Sequence, residues 1–398
     1  MSAAFGPHSS SGFILRPVDL PAVWYHPEPT LIRLCDALGA ELQEDVFAPN
    51  DVPSYDLALR DGWVVNASES GPRKVLDEAV ENGRTPTDLP PMSAIWVNTG
   101  GPIPKGVNAI IPSAARSDLA DAQKGAEPEK GIMRRGAEWR VGDLLLKSGV
   151  RIGAAETALL FEAGMDVVKA RSLASVGIIA TGSELRDFVC RADGPTRVSS
   201  DAAYLRSLLL DAGIRDVWAR SAADDSEAIA AALTGLAVRS DVLITIGGTG
   251  RGSKDLTRRA ILEAGGKLLD SQEADRCSGG ASPFIAGELD GRPVIGLPGN
   301  PLAAMMIAQR VVLPLIAARS GIELHEKAVR ATFSGNIPAG KTGELCVSLG
   351  TSGGTRIARA VQKGTGSVLL LRDAAGVVKV GKDGINAGDE VEVICFIN

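Results

Sequence analysis

The stretch Asp241-Val-Leu-Ile-Thr-Ile-Gly-Gly-Thr-Gly-Arg-Gly-Ser-Lys-Asp-Leu-Thr257 joins an apolar run to a glycine-rich turn. The apolar run predicts a buried β-strand, and the residues from Asp255 onward predict a helix. A glycine-rich turn between a strand and a helix exposes backbone N–H groups at a positive helix end, an arrangement that binds phosphate and other oxyanions. In the alternative, the glycines only make a turn and Asp255 is a helix N-cap.

This turn differs from the two common nucleotide-binding turns. It has no Gly-Lys followed by Ser or Thr, as a Walker loop requires, and no Gly-x-Gly-x-x-Gly follows the first strand of the unit. The candidate ligand-binding residues of the turn are Gly247, Gly248, Thr249, Gly250 and Arg251.

Outward from this turn, short apolar strands alternate with helical stretches. Strands are predicted from Ser175, Asp216, Asp241 and Pro293, and helices over residues 201–212, 226–238, 255–264 and 301–320. Strand and helix in alternation predict a parallel sheet with helices on both faces. Ligands of such sheets bind at the carboxyl ends of the strands.

Polar residues follow several of these strands. Thr181-Gly182-Ser-Glu184 follows one strand, and Asp224-Asp225 follows another. Each aspartate alone is typical of a helix cap. However, Glu184, Asp224 and Asp255 all fall at carboxyl strand ends of one predicted sheet beside an anion-binding turn. Carboxylates facing bound phosphates usually need a hard cation between them, so these three are the candidate ligands of Mg²⁺.

A fourth strand ends in Leu297-Pro298-Gly299-Asn300-Pro301. Two prolines around Gly-Asn predict a rigid turn, and Pro301 suits the first turn of a helix. Taken alone, the segment is equally consistent with a ligand-binding turn and with a stiff loop that binds no ligand. Its place at the same sheet edge favours a binding role.

The rest of the chain contains helical and β-rich segments. Residues 29–39 and 154–163 have apolar residues at helical spacing, and residues 52–117 consist of short apolar runs broken by Pro and Gly. The helical segments therefore flank a β-rich insertion. From Ala328 onward, short runs including Val368-Leu-Leu-Leu371 predict a small β domain.

Composition excludes several classes of function. A net charge of -6, from 42 Lys+Arg and 48 Asp+Glu, argues against a nucleic-acid surface. No signal sequence and no run close to 18 apolar residues is apparent, so a soluble, cytoplasmic protein without a membrane partner is expected. Five scattered cysteines and three unrelated histidines argue against a disulfide framework, a zinc site and a Ser-His-Asp triad.

Further motifs stand in a recognisable order with these. They are Arg60-Asp61-Gly62-Trp63, Asn98-Thr99-Gly100-Gly101-Pro102 and Arg134-Arg135-Gly136, ahead of the segments at 181–185, 224–225, 247–255 and 297–301. In this order they resemble the molybdopterin molybdenumtransferase family of molybdenum cofactor biosynthesis, which includes the E domain of gephyrin.

The resemblance implies an α/β multidomain fold and an L-shaped homodimer of four-domain subunits. Residues 20–50 and 139–172 would form a discontinuous helical linking domain, and residues 51–138 an inserted β-rich domain. Residues 173–325 would form the molybdopterin-binding α/β domain, and residues 326–398 a C-terminal β-barrel-like domain.

The resemblance also implies a reaction and its site. Molybdate would be inserted into adenylylated molybdopterin with Mg²⁺-assisted release of AMP, in a cleft shared between the two subunits. Other cofactor-biosynthesis proteins or molybdoenzymes would be partners. The matching functional positions are Asp61, Thr99, Glu184, Asp224, Asp255, Pro298 and Pro301.

Two departures from the family pattern support alternatives. Where a Lys-Pro-Gly-Lys-Pro stretch is usual, the chain has Asp275-Arg-Cys-Ser-Gly-Gly-Ala-Ser-Pro283, which favours a paralogue that binds or delivers the cofactor without inserting metal. The Gly-Gly-Thr-Gly turn is similar to that of molybdopterin adenylyltransferases and would suit adenylylation.

Overall fold

The computed structural model describes residues 13–14, 20–21, 24, 28–84, 86–187, 196–249, 256–269, 284–340, 342–361 and 368–397. The chain divides into two compact units. The N-terminal unit is Pro29–Ala170, and the C-terminal unit comprises Met1–Glu28 and Arg171–Asn398. This division is coarser than the four predicted domains, whose boundaries stay a prediction.

The chain enters the C-terminal unit with a two-residue strand, β1 (Phe13–Ile14), which pairs antiparallel with residues His325–Glu326. The strands that follow belong mainly to the N-terminal unit: β2 (Thr30–Arg33), β3 (Glu41–Leu42), β4 (Val46–Phe47), β5 (Leu57–Ala58), β6 (Gly62–Val65), β7 (Lys74–Val80), β8 (Ser93–Val97), β9 (Ala109–Pro112), β10 (Ile132–Met133), β11 (Leu144–Leu146) and β12 (Val167–Arg171).

The N-terminal unit is β-rich between residues 52 and 117, as predicted. Its largest sheet has the order β7-β8-β6-β9. Both faces of this sheet are packed, and β6 is buried along its whole length. Trp63 and Trp96 meet edge to face on one side of it, with ring centroids 5.3 Å apart.

The prediction of a helix over residues 29–39 is wrong. The first half of this segment is strand β2, which pairs antiparallel with β12, and its second half is a single 3₁₀ turn at Leu34–Asp36. Leu31 is exposed, whereas Leu34 is buried, so the apolar spacing does not form one helical face. Pairing with β12 outweighs the local pattern. The helix predicted over 154–163 is confirmed as α1 (Ala154–Glu162).

The C-terminal unit continues the numbering. Its α/β part contains β13 (Val176–Thr181), β14 (Leu185–Arg186), β15 (Arg197–Val198), α2 (Ser200–Asp211), β16 (Val217–Ala222), α3 (Ser226–Ala237), β17 (Val242–Ile246), α4 (Leu256–Glu263), β18 (Lys267–Leu268), β19 (Ile285–Leu289), β20 (Arg292–Leu297), α5 (Pro301–Ile307) and α6 (Leu313–Arg319).

A six-stranded sheet with the order β16-β13-β17-β20-β19-β18 organises this part. The four predicted strands, β16, β13, β17 and β20, pair in parallel. The prediction of an all-parallel sheet is wrong at one edge, where β19 and β18 add antiparallel. A tight turn at Asp290-Gly291, both with positive φ, returns β19 directly into β20. Apolar clusters on both faces confirm the predicted helical layers.

The helix predicted over 301–320 is continuous but not uniform. Between α5 and α6 lies one π-helical segment, Ala308–Val312. Pro314 follows it and has no N–H to continue the α-helical ladder, which accounts for the local widening. The whole helix is long and apolar enough to cross a membrane, which corrects the expectation that no such run exists, but 78% of its apolar window is buried in the protein.

The last part of the chain is a closed five-stranded barrel with the order β22-β24-β23-β25-β26. The predicted β-barrel-like domain is therefore confirmed in its sheet. The elements are β21 (His325–Glu326), β22 (Ala328–Ser334), β23 (Gly343–Ser352), β24 (Thr355–Ala360), α7 (Leu369–Asp373), β25 (Gly376–Val380) and β26 (Glu390–Cys395).

The predicted strand at Val368–Leu371 is instead the start of helix α7. Leu369 is exposed, while Leu370 and Leu371 pack against an apolar cluster with Met305 and Phe396. An apolar run this short does not show whether its residues repeat with the period of a helix or of a strand. Here, packing against α5 favours a helix.

Gln309, in the π-helical segment, attaches the chain after the last barrel strand to the helices that cover the sheet. Its side-chain amide donates to the carbonyl of Ile397 at 2.9 Å and to the hydroxyl of Tyr204 at 3.2 Å. In return, the N–H of Ile397 donates to the Gln309 side-chain oxygen at 3.2 Å. Gln309 is buried, so these bonds satisfy a polar group that would otherwise destabilise the core.

We expect the buried side chains of the central strands to contribute most to the free energy of unfolding. Val294 in β20 is fully buried, whereas Val238, after α3, is 84% exposed. We expect Val294→Ala to lower the free energy of unfolding by about 2–3 kcal/mol, because it removes buried methyl groups and leaves a cavity. The same substitution at Val238 is the control and changes it by less than about 0.5 kcal/mol. Urea unfolding followed by circular dichroism measures both. Equal midpoints for the two variants would contradict this description of the core.

Candidate functional site

The carboxyl ends of β13 and β17 lie side by side, as the alternation predicts. Thr181 is the last residue of β13, and its hydroxyl donates to the carbonyl of Ile246, the last residue of β17, at 3.1 Å. Gly247 follows immediately, and its N–H donates to the carbonyl of Leu297 at the end of β20, at 2.9 Å. Three strand ends are therefore joined at one edge of the sheet.

Gly247 needs to be a glycine for two reasons. Its φ is +97°, in the region that side chains rarely adopt, and a Cβ at this position would lie 2.5 Å from the Thr181 hydroxyl oxygen. Thr257, in the first turn of α4, donates its hydroxyl to the carbonyl of Gly247 at 3.1 Å. Gly247, the first residue of the glycine turn, is therefore in contact with β13 on one side and with α4 on the other.

A cavity of about 620 Å³ opens above these strand ends. This size suits a small organic ligand, since such sites commonly occupy about 300–1,000 Å³. Several predicted binding residues line it: Thr181, Gly182, Gly247, Gly299, Asn300 and Pro301. We call this cavity the strand-end pocket.

The structure does not bring every predicted residue to this pocket. Gly248, Thr249 and Pro298 are described but are not among the residues that line it. Gly250, Arg251 and Asp255 lie outside the described residues. The roles of all the predicted site residues stay predictions, and these six are not placed at the pocket.

Three residues of the Pro-Gly-Asn-Pro turn, Gly299, Asn300 and Pro301, form one wall of the pocket. Asn300 is the N-cap of α5, where its side-chain oxygen accepts from the N–H of Ala303 at 3.2 Å, and Pro301 begins the helix as predicted. Gly299 lies close to the turn after β17, because a Cβ built on it would be 3.6 Å from the Cα of Gly247. The segment is both a stiff turn and a wall of the pocket.

Asp224 and Asp225 have different tasks, which sequence alone left undecided. Asp225 is the N-cap of α3 and accepts from the N–H of Ala228 at 2.9 Å. Asp224 lines the pocket and exchanges two hydrogen bonds with Ser183: its carboxylate accepts from the Ser183 N–H, and its own N–H donates to the Ser183 hydroxyl, each at 3.2 Å. These bonds orient the Asp224 carboxylate beside the turn after β13.

Glu184 also lines the pocket, where it forms an ion pair with Arg197 at 3.1 Å. Its partner was not among the predicted site residues. Asp201, in the first turn of α2, is the third carboxylate that lines the pocket, and it was also not among the predicted site residues. Burial raises the pKa of Asp201, while Ser200 and the charge of Arg197 oppose the rise. The sequence signal for Asp201 was the Ser199–Asp201 segment, which has the residue types of a helix N-terminus.

Asp61 and Thr99 form a pair within the N-terminal unit. They flank β6 and β8, where Gly62 faces Val97, so the two loops meet. The Asp61 carboxylate accepts from the Thr99 N–H at 2.6 Å and from its hydroxyl at 2.8 Å. The hydrogen bond from the Thr99 backbone, followed by that from its side chain, lowers the pKa of Asp61. Asp61 therefore orders the Thr99 loop as an ionised carboxylate.

The described carboxylates suit a hard cation in their chemistry but do not complete its site. Glu184 and Asp224 both line the pocket and offer the oxygen ligands that Mg²⁺ prefers. Within the described ranges, no group of three or more His, Cys, Asp or Glu residues is arranged to hold a metal. The third predicted ligand, Asp255, lies outside those ranges.

Two family models match the chain in succession. One, described as the MoeA N-terminal region (domain I and II), matches residues 14–164. The other, described as a probable molybdopterin binding domain, matches residues 177–318, which include every strand end of the pocket. The chain belongs to the MoeA family. This confirms the resemblance inferred from the motifs.

Individual MoeA-family relatives agree over most of their length. A Haemophilus influenzae protein named molybdopterin molybdenumtransferase is 28% identical over 306 residues, 74% of each chain. A Staphylococcus aureus protein of the same name is 26% identical over 382 residues, 91% of this chain and 90% of its own. The crystal structure of a molybdopterin biosynthesis MoeA protein from Pyrococcus horikosii is 25% identical, with a TM-score of 0.54, and covers 94% of this chain and 95% of its own. The α/β multidomain fold of the MoeA family is therefore present here.

The glycine turn generates a prediction with a matched control. Gly247 and Gly213 both have positive φ, but a Cβ at Gly213 would meet nothing within 4 Å. Alanine at Gly213 therefore costs only the left-handed backbone, about 1–2 kcal/mol. We expect Gly247→Ala to lower the free energy of unfolding by about 1–3 kcal/mol more, because of the contact with Thr181. Urea midpoints test this. A loss at Gly247 no larger than that at Gly213 would show that the turn is not held as described.

Proposed function

We propose that this protein inserts molybdate into adenylylated molybdopterin, with Mg²⁺-assisted release of AMP. The observation that carries the proposal is the strand-end pocket, where a glycine turn, the Pro-Gly-Asn-Pro wall and three carboxylates meet. It lies in the segment matched by the probable molybdopterin binding domain, and relatives named molybdopterin molybdenumtransferase cover most of the chain.

The pocket's groups suit an anionic substrate that reacts at a phosphoanhydride. The first turn of α2 lines the pocket, and the N-terminal end of a helix carries partial positive charge that favours anions. In our proposal the pterin and its phosphate lie against the glycine turn and the Asn300 wall, with molybdate beside them. The substrate's own dithiolene then binds the metal, which agrees with the scattered cysteines of the chain.

The carboxylates have separate roles in this proposal. Glu184 and Asp224, together with Asp255, would hold Mg²⁺, which neutralises charge on the phosphoanhydride as AMP leaves. Asp224 is fixed by Ser183, whereas Glu184 is paired with an exposed arginine side chain. We therefore assign the positioning of the cation to Asp224, and the orientation of the attacking oxygen to Glu184.

A homodimer with a shared cleft completes the proposal. The Asp61–Thr99 pair lies in the N-terminal unit, whereas Glu184 and Asp224 lie in the C-terminal unit. The family resemblance implies that both pairs serve one reaction, with each cleft built from two subunits. The protein would work in the cytoplasm and pass its product to molybdoenzymes or to other cofactor-biosynthesis proteins.

A specific observation supports a second candidate, a non-catalytic protein that binds or delivers the cofactor. The usual Lys-Pro-Gly-Lys-Pro stretch is absent from the sequence. Among the described residues that line the pocket, one arginine, Arg197, carries a positive charge. Fewer cations favour binding of the pterin over capture of a second anion. Adenylylation, suggested by the Gly-Gly-Thr-Gly turn, is tested by the same assay, because it would consume ATP and release pyrophosphate.

Adjacent aspartates offer a direct test of the catalytic proposal. We expect Asp224→Asn to lower the rate of AMP release at least about tenfold, because the amide keeps the shape but loses the charge that holds a cation. Asp225→Asn is the control: asparagine is as good an N-cap as aspartate, so the rate stays within about twofold. The assay uses adenylylated molybdopterin, molybdate and Mg²⁺. Tight pterin binding by the wild-type protein without AMP release would favour the delivery protein.

Mixed dimers test the shared cleft. Asp61→Asn and Glu184→Gln are each expected to inactivate a homodimer. If each cleft takes Asp61 from one subunit and Glu184 from the other, a mixed dimer has one intact cleft and one doubly altered cleft. Random mixing after reversible dissociation should then restore about a quarter of wild-type AMP release, since about half of the dimers are mixed. Each variant incubated alone is the control, and no recovery on mixing would show that both residues act within one subunit.

A further inference from the structure

We infer that Arg197 receives an anionic group of the ligand in the strand-end pocket, a phosphate or a metal oxyanion, and releases Glu184 as it does so. The inference rests on the proposed function, since it names the residue that recognises the substrate's charge in that site. The observations that carry it are the position of Arg197, its present partner, and the charge of the pocket.

Arg197 is held at the pocket by backbone pairing. β15 lies parallel to β14, with Arg197 opposite Leu185, and the N–H of Arg197 donates to the carbonyl of Glu184 at 2.9 Å. The Arg197 guanidinium then reaches the Glu184 carboxylate at 3.1 Å. The base of the side chain is therefore fixed, and only its charged end is free to change partners.

The described lining of the pocket is acidic, which does not suit an anionic ligand. It contains Glu184, Asp201 and Asp224 but, among the described residues, only one cation, Arg197. The family's usual lysines are absent from the sequence. An anion that enters this lining needs a positive partner, because its charge would otherwise be opposed by three carboxylates.

The existing ion pair is suited to exchange. The Arg197 side chain is 73% exposed and that of Glu184 is 41% exposed, so water screens the pair and its contribution to stability is small. The planar guanidinium matches the oxygens of a phosphate or a tetrahedral oxyanion at least as well as a carboxylate. A ligand anion can therefore replace Glu184 without loss of structure.

The exchange would also free the Glu184 carboxylate within the pocket. While it is paired with Arg197, this carboxylate is occupied by a cation. After the exchange it is available to orient a reacting oxygen, which is the role proposed for it above. Arg197 thus links recognition of the anion to the release of a catalytic group.

The test compares arginines from two ion pairs of the same length. Arg197→Ala removes the proposed anion contact, and Arg330→Ala is the control, because Arg330 forms a surface pair with Glu390 at 3.1 Å in the barrel. Isothermal titration with metal-free molybdopterin, AMP and molybdate separates the sources of the anion. We expect Arg197→Ala to weaken binding about tenfold to hundredfold for the probe whose anion it receives, with Arg330→Ala unchanged.

A double-mutant cycle tests the exchange itself. If Glu184 competes with the ligand for Arg197, Glu184→Gln binds the same probe more tightly than the wild type, and this gain disappears in the Arg197→Ala background. A gain that persists without Arg197 would mean only that a negative charge was removed from the pocket, and would overturn the exchange. Thermal unfolding midpoints of all variants show that the fold is intact.

The outcomes separate this inference from the proposed function. If the wild type binds molybdopterin and Arg197→Ala binds every probe equally well, the inference is wrong and the proposed function stands. If the wild type does not bind molybdopterin but Arg197→Ala weakens AMP or molybdate, the proposed function is wrong and the anion contact stands. Binding of none of the three probes by the wild type would overturn both.

Discussion

The parallel pairing of β13 with β17, closed at its carboxyl end by the Thr181 hydroxyl on the Ile246 carbonyl, is the contact on which the site depends. It brings the glycine turn within contact distance of Thr181, so close that a single Cβ would not fit at Gly247. The parallel pairing of β13 with β16 places Asp224, after β16, opposite the turn that carries Ser183. A shift of the pairing by one residue would turn these side chains to the other face of the sheet.

The chemistry of the pocket follows from what this contact assembles. Backbone groups and helix starts at the strand ends favour anions, whereas the side chains added by the adjoining loops are mainly carboxylates. Such a site needs a positive charge between the bound anion and the carboxylates. Arg197 and a bound Mg²⁺ are complementary ways to supply that charge. The mildly acidic overall charge of the chain is thus not in conflict with an anionic substrate, since local arrangement and not net charge decides binding.

Sequence reasoning succeeded where local pattern and tertiary environment agree. The starts of the four parallel strands and of their helices were found within a residue or two. Three of these strands, β13, β17 and β20, are buried almost throughout, whereas β16 is buried only at its two ends. Sequence reasoning failed where pairing with a distant segment outweighed the local pattern, as in β2 with its partner β12, and where contact with a neighbour decided the state of a short run, as in α7. The antiparallel strand β19 was missed because its return into β20 is decided by a two-residue turn.

The sequence by itself determined the class of fold, the family and the segments that contribute to the pocket, because glycine, proline and apolar periodicity act over a few residues. Only the tertiary structure decided which of two adjacent aspartates caps a helix and which faces the pocket, and that Arg197 and Asp201 join Glu184 there. The physical reason is that such roles depend on where a side chain points after distant strands have paired. That direction is set by sheet register, which no local pattern records.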